Sequence, residues 1–325
     1  MSYNRTVSTV SQRQVPAGKV YFDQFDSNGA VQGERYMGLT PGLTVSIATD
    51  KIQSYTMESN IQELDDETVI KITRTGKLTT RQLSMENLAL FLAANVSVVD
   101  QATATVSGEN KTVFADRTYQ LGTSTSQPSG VRAVGSVTVV GKTASDRADS
   151  TAYAVGDRVK SATTPTHLFV CTVAGTSGSS APTWPTVIDE TVTDGTVTWR
   201  CETLITLVEN TDYTVNTPLG RVYVLPGARV SQYGSEWTFG YSKLAAQWER
   251  LATGDAGSMN GALRFIADNA KGSNRDNFAP NVTLSPSGDM VIKAESPAYV
   301  ELSFDLSFSK GANGEPALVL DGRPA

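Results

Sequence analysis

The sequence predicts a mainly β protein, and three observations carry that prediction. Val300, Leu302, Phe304, Leu306 and Phe308 alternate with Glu301, Ser303, Asp305 and Ser307, the period of two that a half-buried strand requires. Thr, Ser, Val and Gly recur throughout while charged residues are only 18% of the chain, a bias toward many short strands. Pro, Gly, Asn and Ser clusters punctuate the apolar segments, as turns between strands demand. At 325 residues the chain is long enough for a sizeable core and, on length, for roughly two domains.

Taken in order, residues 1 to about 17 are polar and read as a mobile arm that ends at Pro16. Lys19–Phe25 (KVYFDQF) is a short strand, followed by the turn Asp26-Ser27-Asn28-Gly29; Arg35–Leu39 leads to a second turn at Pro41-Gly42. Leu43, Val45 and Ile47 then alternate with Thr44, Ser46 and Ala48, and Thr68–Leu78 sets Ile70 and Ile72 against Lys71 and Thr73. Between these two strands lie Glu58, Glu63, Asp65, Asp66 and Glu67, in a span too polar for a core and too long for a tight turn, which predicts an acidic loop. Ser84 is placed to cap a helix whose stripe is Met85, Leu88 and Leu92 with Phe91 alongside. Thr103–Val113 predicts a hairpin around Gly108-Glu109-Asn110, and Thr118–Leu121 and Val131–Val140 predict further strands.

At Gly141 the texture changes, and residues 142–204 are dense in Pro, Gly, Ser and Thr with short apolar runs and two of the four tryptophans. The strand style of the first part resumes afterwards, so 142–204 reads as a small β module inserted into a larger domain made of 1–141 and 205–325. Asn210–Leu225 is a hairpin turning at Pro218-Leu219-Gly220, and Glu236–Tyr241 is a strand. Ala262–Ala267 fits a strand or a short helix, and the loop DNAKGSNRDN follows it. Val282–Leu284 and Met290–Lys293 predict a hairpin about Pro286-Ser287-Gly288; beyond Lys310 a Gly/Pro-rich tail is expected to cover a sheet edge.

Candidate chemistry is sparse. The only histidine, His167, has no nucleophile motif around it and reads as a surface or strand-edge residue. Cys171 and Cys201 end the strand-like segments HLFVC and VTWRC without zinc spacing, and read as small buried apolar residues. Asp65-Asp66 lacks the ligand spacing of a calcium loop, and GTSGSS and DNAKGSN lack the Lys and Ser/Thr of a phosphate loop. No catalytic residue, metal site or cofactor is expected, and the chain is not expected to be an enzyme. A net charge of -6 and a pI near 5.0 argue against a protein that grips nucleic acid through phosphates. No window reaches the ~18 apolar residues of a membrane helix. The N-terminus lacks the apolar core of a signal peptide, so the protein is expected to be made and used inside the cell or released by a route other than secretion.

The order strand, acidic span, strand (TVIKITRTGKLTT) and helix (SMENLALFLAAN), together with NTDYTVNTPLGRVYVL, EWTFGY and ALRFIADNAKGSNRDNFAPNVTLSPSGDMVIK, resembles the tail tube protein of long-tailed bacteriophages. The resemblance implies a β-sandwich or half-barrel with one packed helix, whose copies form hexameric rings stacked into a hollow tube. It implies a virion protein of a siphovirus-like tail, assembled in the host cytoplasm. Its partners would be itself, the tape measure protein, the tail terminator and the distal tail or baseplate proteins, with DNA passing through an acidic lumen without specific binding. Glu58, Glu63, Asp65, Asp66 and Glu67 would then serve as ring-to-ring contact or as lumen charge. The inserted module, through Ala152-Tyr153, Gly156-Asp157, Phe169-Val170-Cys171, Pro182-Thr183-Trp184 and Trp199, is similar to small chitinase-type carbohydrate-binding modules. That similarity implies an alternative function, attachment to host-surface glycans through an aromatic strip of Tyr153, Trp184 and Trp199. Against the strip, Trp199 inside TVTW reads as core, whereas Trp184 between two prolines fits core and surface equally.

Overall fold

A computed structural model describes residues 13–58, 60–254, 259–293 and 298–323. Residues 1–12 of the expected arm lie outside the described residues. From Arg13 onward the chain is fastened: Val15 bridges Lys271, and the Gln14 amide donates to the Ser273 carbonyl at 3.0 Å.

The protein is mainly β with a single helix among the described residues. The first leg of the chain is β1 (Gly18–Gln24), β2 (Arg35–Tyr36), β3 (Gly42–Tyr55), β4 (Leu64–Thr80), α1 (Met85–Leu92) and β5 (Ala94–Gln101). Next come β6 (Ala104–Val113), β7 (Arg117–Gln120) and β8 (Val134–Gly141). The module holds β9 (Ser145–Asp146), β10 (Ala152–Tyr153), β11 (Arg158–Lys160), β12 (His167–Val173), β13 (Gly175–Thr176), β14 (Thr191–Asp194) and β15 (Val197–Leu204). Then follow β16 (Tyr213–Asn216), β17 (Arg221–Val224), β18 (Ser235–Lys243), β19 (Ala246–Thr253), β20 (Asn260–Ala267), β21 (Arg275–Ser287), β22 (Leu302–Ser309) and β23 (Val319–Gly322).

Two compact units result, Met1–Val98 with Glu249–Ala325, and Val99–Trp248. The chain leaves the first unit within β5 and returns within β19, and these two strands pair with each other. The span 142–204, expected as the insert, lies inside the second unit, and the expected remainder, 1–141 with 205–325, is divided between both.

In the first unit one antiparallel sheet runs β2-β1-β20-β21-β22-β4-β3, with β23 also on β21. Its core face follows from the alternation: Leu302, Phe304, Leu306 and Phe308 are buried, beside Val20, Phe22, Leu78, Val282 and Leu284. Gly76 sits in β4 because a Cβ there would stand 2.3 Å from the Thr44 carbonyl oxygen and 3.0 Å from the Phe308 ring. The helix covers part of this core. Ser84 caps it, accepting from the Asn87 N–H at 3.3 Å. Leu90 and Phe91, rather than the expected Met85 stripe, go deepest, and Phe91 meets Phe304 edge-on at 5.9 Å. Asn87 is fully buried and donates to the carbonyls of Met37 and Gln82, which ties the helix start to the preceding turn.

Three local expectations change, and two others are settled. Thr103–Val113 is not a hairpin but the single strand β6, paired with β18 along its length, with a bulge absorbing Gly108. Val282–Lys293 is not a hairpin either: β21 runs on to Ser287 against β22, whose apolar face offers the longer partner, and Met290–Lys293 forms no strand. The last three residues of the DNAKGSNRDN loop, Arg275-Asp276-Asn277, belong to β21. The tail pairs, as β23, with that same end of β21. Ala262–Ala267 resolves as strand, in β20.

In the second unit, sheets β6-β18-β8 and β16-β17-β7 share one core around Trp237, Phe239, Val222 and Val224. The module has its own, around Phe169, Trp184, Val197 and Trp199. Its two ends meet where the Gly141 N–H donates to the Ile205 carbonyl at 2.9 Å. Buried Glu202 takes both the Arg158 guanidinium and the Glu236 N–H, and buried Thr203 accepts from the Trp237 indole at 3.1 Å. The last strand of the module is therefore also a wall of the neighbouring core.

Two buried carboxylates make this unit sensitive to acid. Burial raises the Asp212 pKa, but hydrogen bonds from the Arg229 guanidinium and from the Val208 and Arg229 N–H groups outweigh it and leave it below the ordinary value. Asp194 is lowered in the same way, with burial overcome by Arg147, the Gly178 N–H and the Trp199 indole. A carboxyl depressed on folding stabilises above its unfolded pKa, and that contribution disappears as pH falls through the folded value. Melting temperature is thus expected to fall below about pH 4, where unfolded carboxyls begin to take protons. In Asp212→Asn the melting temperature is expected to be lower at pH 7 and to change less between pH 7 and pH 3. Parallel acid profiles for variant and wild type would remove Asp212 from this role.

Candidate assembly interface

The most unusual feature of the molecule is the outer half of the β3–β4 hairpin. β4 pairs with β22 only from Thr80 to Arg74, whereas its pairing with β3 continues from Thr79 out to Leu64. From Ala48 and Thr73 outward the two strands therefore have only each other. Eight residues of β3 project this way, roughly 25 Å at ~3.3 Å per residue. A two-stranded ribbon alone in water is marginal at best, since it has no layer against which to bury a face.

Both faces are nevertheless apolar in part. Ile47 is 64% exposed and Ile52 60%, and at the tip Met57 is 76% and Ile61 68% exposed. Val69, Ile70, Ile72, Tyr55 and Leu64 are also exposed. Ile70 is the extra residue of a bulge opposite Asp50 and Lys51. One face carries the chain Tyr55 hydroxyl to Gln53, Gln53 amide to Glu67, and the Lys51–Glu67 ion pair. Lys51, donating to Glu67, holds that carboxyl below the usual range. The opposite face carries Asp50–Lys71 at 3.5 Å. Exposed pairs of this kind contribute little and do not explain the ribbon's length.

The five acids expected in one loop do not stay together. Glu58 and Glu63 lie in the loop between the strands, while Asp65, Asp66 and Glu67 are part of β4. Asp66 stands opposite Ser54 and Glu67 opposite Gln53, neighbours in sequence on opposite faces of a pleated strand. The strand continues through the acidic run, with Asp65 the extra residue of a second bulge opposite Ser54 and Tyr55, because exposed strand positions tolerate charge as well as loops do. Lys51, Gln53, Tyr55 and Met57 complete the ribbon; their alternation with Ile52 and Ser54 was the available signal.

The unit also presents a polar sheet face, away from its core. Thr44, Ser46, Thr75, Lys77, Ser285, Asp305 and Ser307 line a shallow cavity of about 430 Å³ there, with Lys77 and Asp305 at 4.0 Å.

The aromatic strip is corrected. Trp199 is fully buried and Trp184 nearly so, and Tyr153 is half-buried against Trp199 at 4.9 Å. Phe169–Trp184 at 4.3 Å and Trp184–Trp199 at 6.1 Å complete a packed cluster, and the Trp199 indole donates to Asp194 at 3.1 Å. A module of this size has few other large side chains, so its tryptophans are taken inside. Cys171 and Cys201 are buried and free, facing Trp199 and Phe169 across the β12–β15 ladder. Burial pushes the Cys201 thiol up to about 12, with Asp189, Glu190 and Glu202 adding to it. His167 is half-buried and shares a 2.9 Å hydrogen bond with the Thr166 hydroxyl; burial lowers its pKa. Among the described residues no group of three or more His, Cys, Asp or Glu is placed to hold a metal, and no helix is long and apolar enough to cross a membrane.

Comparison with known families adds one similarity. Residues 15–163 match a family described as "Protein of unknown function UCP028589". The matched span contains the whole β3–β4 ribbon and α1. No curated protein matches the chain.

Proposed function

We propose that this chain is a structural subunit that assembles with copies of itself into a tube, the tail tube of a bacteriophage virion. The observation that carries the reading is the free-standing ribbon, apolar on both faces and continuous with the exposed edge of β3. An edge strand of 14 residues with unpaired N–H and C=O groups is an invitation to another chain, which proteins normally block. Here it is left open, and pairing it between copies in a ring removes the edge. Hexameric rings of this kind, stacked, give a conduit ending at terminator and distal tail or baseplate proteins and filled before ejection by the tape measure protein. The hydroxyl-rich face around Thr44, Thr75 and Ser307 suits a lumen through which DNA slides, because it offers no cluster of cations to hold phosphates.

Electron microscopy of the purified protein tests the reading: rings or tubes of uniform diameter are expected across a concentration series. A protein that stays monomeric at every concentration would rule it out. The glycan-attachment alternative loses its aromatic strip to the interior of the module.

A further inference from the structure

We infer that the outer face of the β7–β17–β16 sheet binds the uronic acid residues of an acidic polysaccharide. This face belongs to the second unit, lies outside residues 142–204, and does not rest on the assembly reading above. The ladder registers place its side chains. In β17, Val222 and Val224 turn into the core, so Arg221 and Tyr223 point out on the other side. Thr118 of β7 and Thr214 of β16 stand opposite Tyr223 to its left and right, and Asn216 stands opposite Arg221. These residues line a cleft of about 590 Å³, within the ~300–1,000 Å³ of small-ligand sites.

The fold leaves much of the bonding capacity of these groups unused. The Tyr223 hydroxyl donates to Asp116 at 2.5 Å, which holds the ring in place at the cleft. The Asn216 side-chain oxygen accepts from the Leu219 N–H at 3.1 Å, so its amide N–H groups remain as donors. Among the described residues the Thr118 and Thr214 hydroxyls and the Arg221 guanidinium have no hydrogen-bond or ion-pair partner. Arg221 is also the only charged residue among those described that line the cleft. This set of groups selects the ligand. A tyrosine ring offers apolar surface to the C–H face of a sugar. Threonine hydroxyls and an amide match sugar hydroxyls, and a guanidinium takes a carboxylate as a bidentate pair. A neutral sugar would leave the cation unmatched. A nucleic acid strand needs a row of cations along its phosphates, and the cleft provides one.

Polygalacturonate, alginate and hyaluronate, each beside its carboxyl-reduced form, test this on the full chain by affinity electrophoresis and calorimetry. At least one of the three is expected to bind, and its reduced form to bind about tenfold more weakly, the scale of one charge-assisted contact. Arg221→Gln, at an exposed position, is expected to melt as wild type does and to lose the same factor of about ten. Tyr223→Ala should weaken the charged and the reduced polymer alike, because it removes the surface shared by both. Failure of wild type to bind any of the three, or binding that Arg221→Gln leaves unchanged, overturns the proposal. Equal binding of charged and reduced polymers overturns it as well, and stronger binding of poly(dT) than of any of the three would give the face to nucleic acid instead.

Discussion

A chain in which Ala48 is joined to Thr73 through an Asn-Gly turn is expected to fold, and to remain monomeric where the wild type assembles. Ala48 and Thr73 stand directly opposite each other in the ladder, so a two-residue turn closes the shortened hairpin without changing its register. Residues 49–72 contribute nothing to the buried core of the first unit, whose members from these two strands are Leu78 with Leu43 packed against it. Melting temperature should therefore stay within a few degrees of wild type, since surface changes away from core features usually cost under ~0.5 kcal/mol. Assembly should fail completely, because the removed ribbon carries the exposed apolar surface that a stable contact of roughly 800 Å² per partner needs. Sedimentation velocity and electron microscopy read both properties at once. Tubes formed by the shortened chain would take the ribbon out of the interface.

The second large effect concerns the module. Trp199→Ala is expected to destabilise the second unit by about 3–5 kcal/mol, the cost of emptying a large aromatic site that cannot collapse. Trp199 touches Tyr153 and Trp184 and donates to Asp194, and Asp194 is itself buried with Arg147. Trp199→Phe should cost less, since the ring volume is mostly kept and Arg147 still satisfies the carboxylate. Calorimetry of the two variants separates the cases. A Trp199→Ala protein with an unchanged melt but lost binding to a polysaccharide would return the residue to a surface role. Because Glu202 and Thr203 hold Arg158, Glu236 and Trp237, the same destabilisation should be felt in the neighbouring sandwich core.

Much of the fold was legible in the sequence because its signals are local. Strand alternation, the Ser84 cap and the Pro218-Leu219-Gly220 turn each depend on residues within one or two turns of chain, and each appears where expected. Where the reading failed, a partner distant in sequence decided. The Gly108 hairpin became one strand because β18 pairs along all of it, and Met290–Lys293 lost its partner because β22, beyond the intervening chain, took β21 instead.

The ribbon shows the same division. The sequence by itself determined that Leu43–Ala48 and Thr68–Leu78 are strands, that a polar and acidic segment joins them, and that no catalytic constellation lies nearby. Ile70 and Ile72 have the same alternating pattern as Leu302 to Phe308, yet the first pair is exposed and the second set forms the core. Alternation says that one face is apolar but not what covers it, since covering is a matter of which strands the chain brings alongside. Only the tertiary structure decided that β4 loses its neighbour at Arg74. Beyond that point the apolar side chains of both strands stand in water, and the same residues that read as packing become the exposed surface on which the proposed assembly rests.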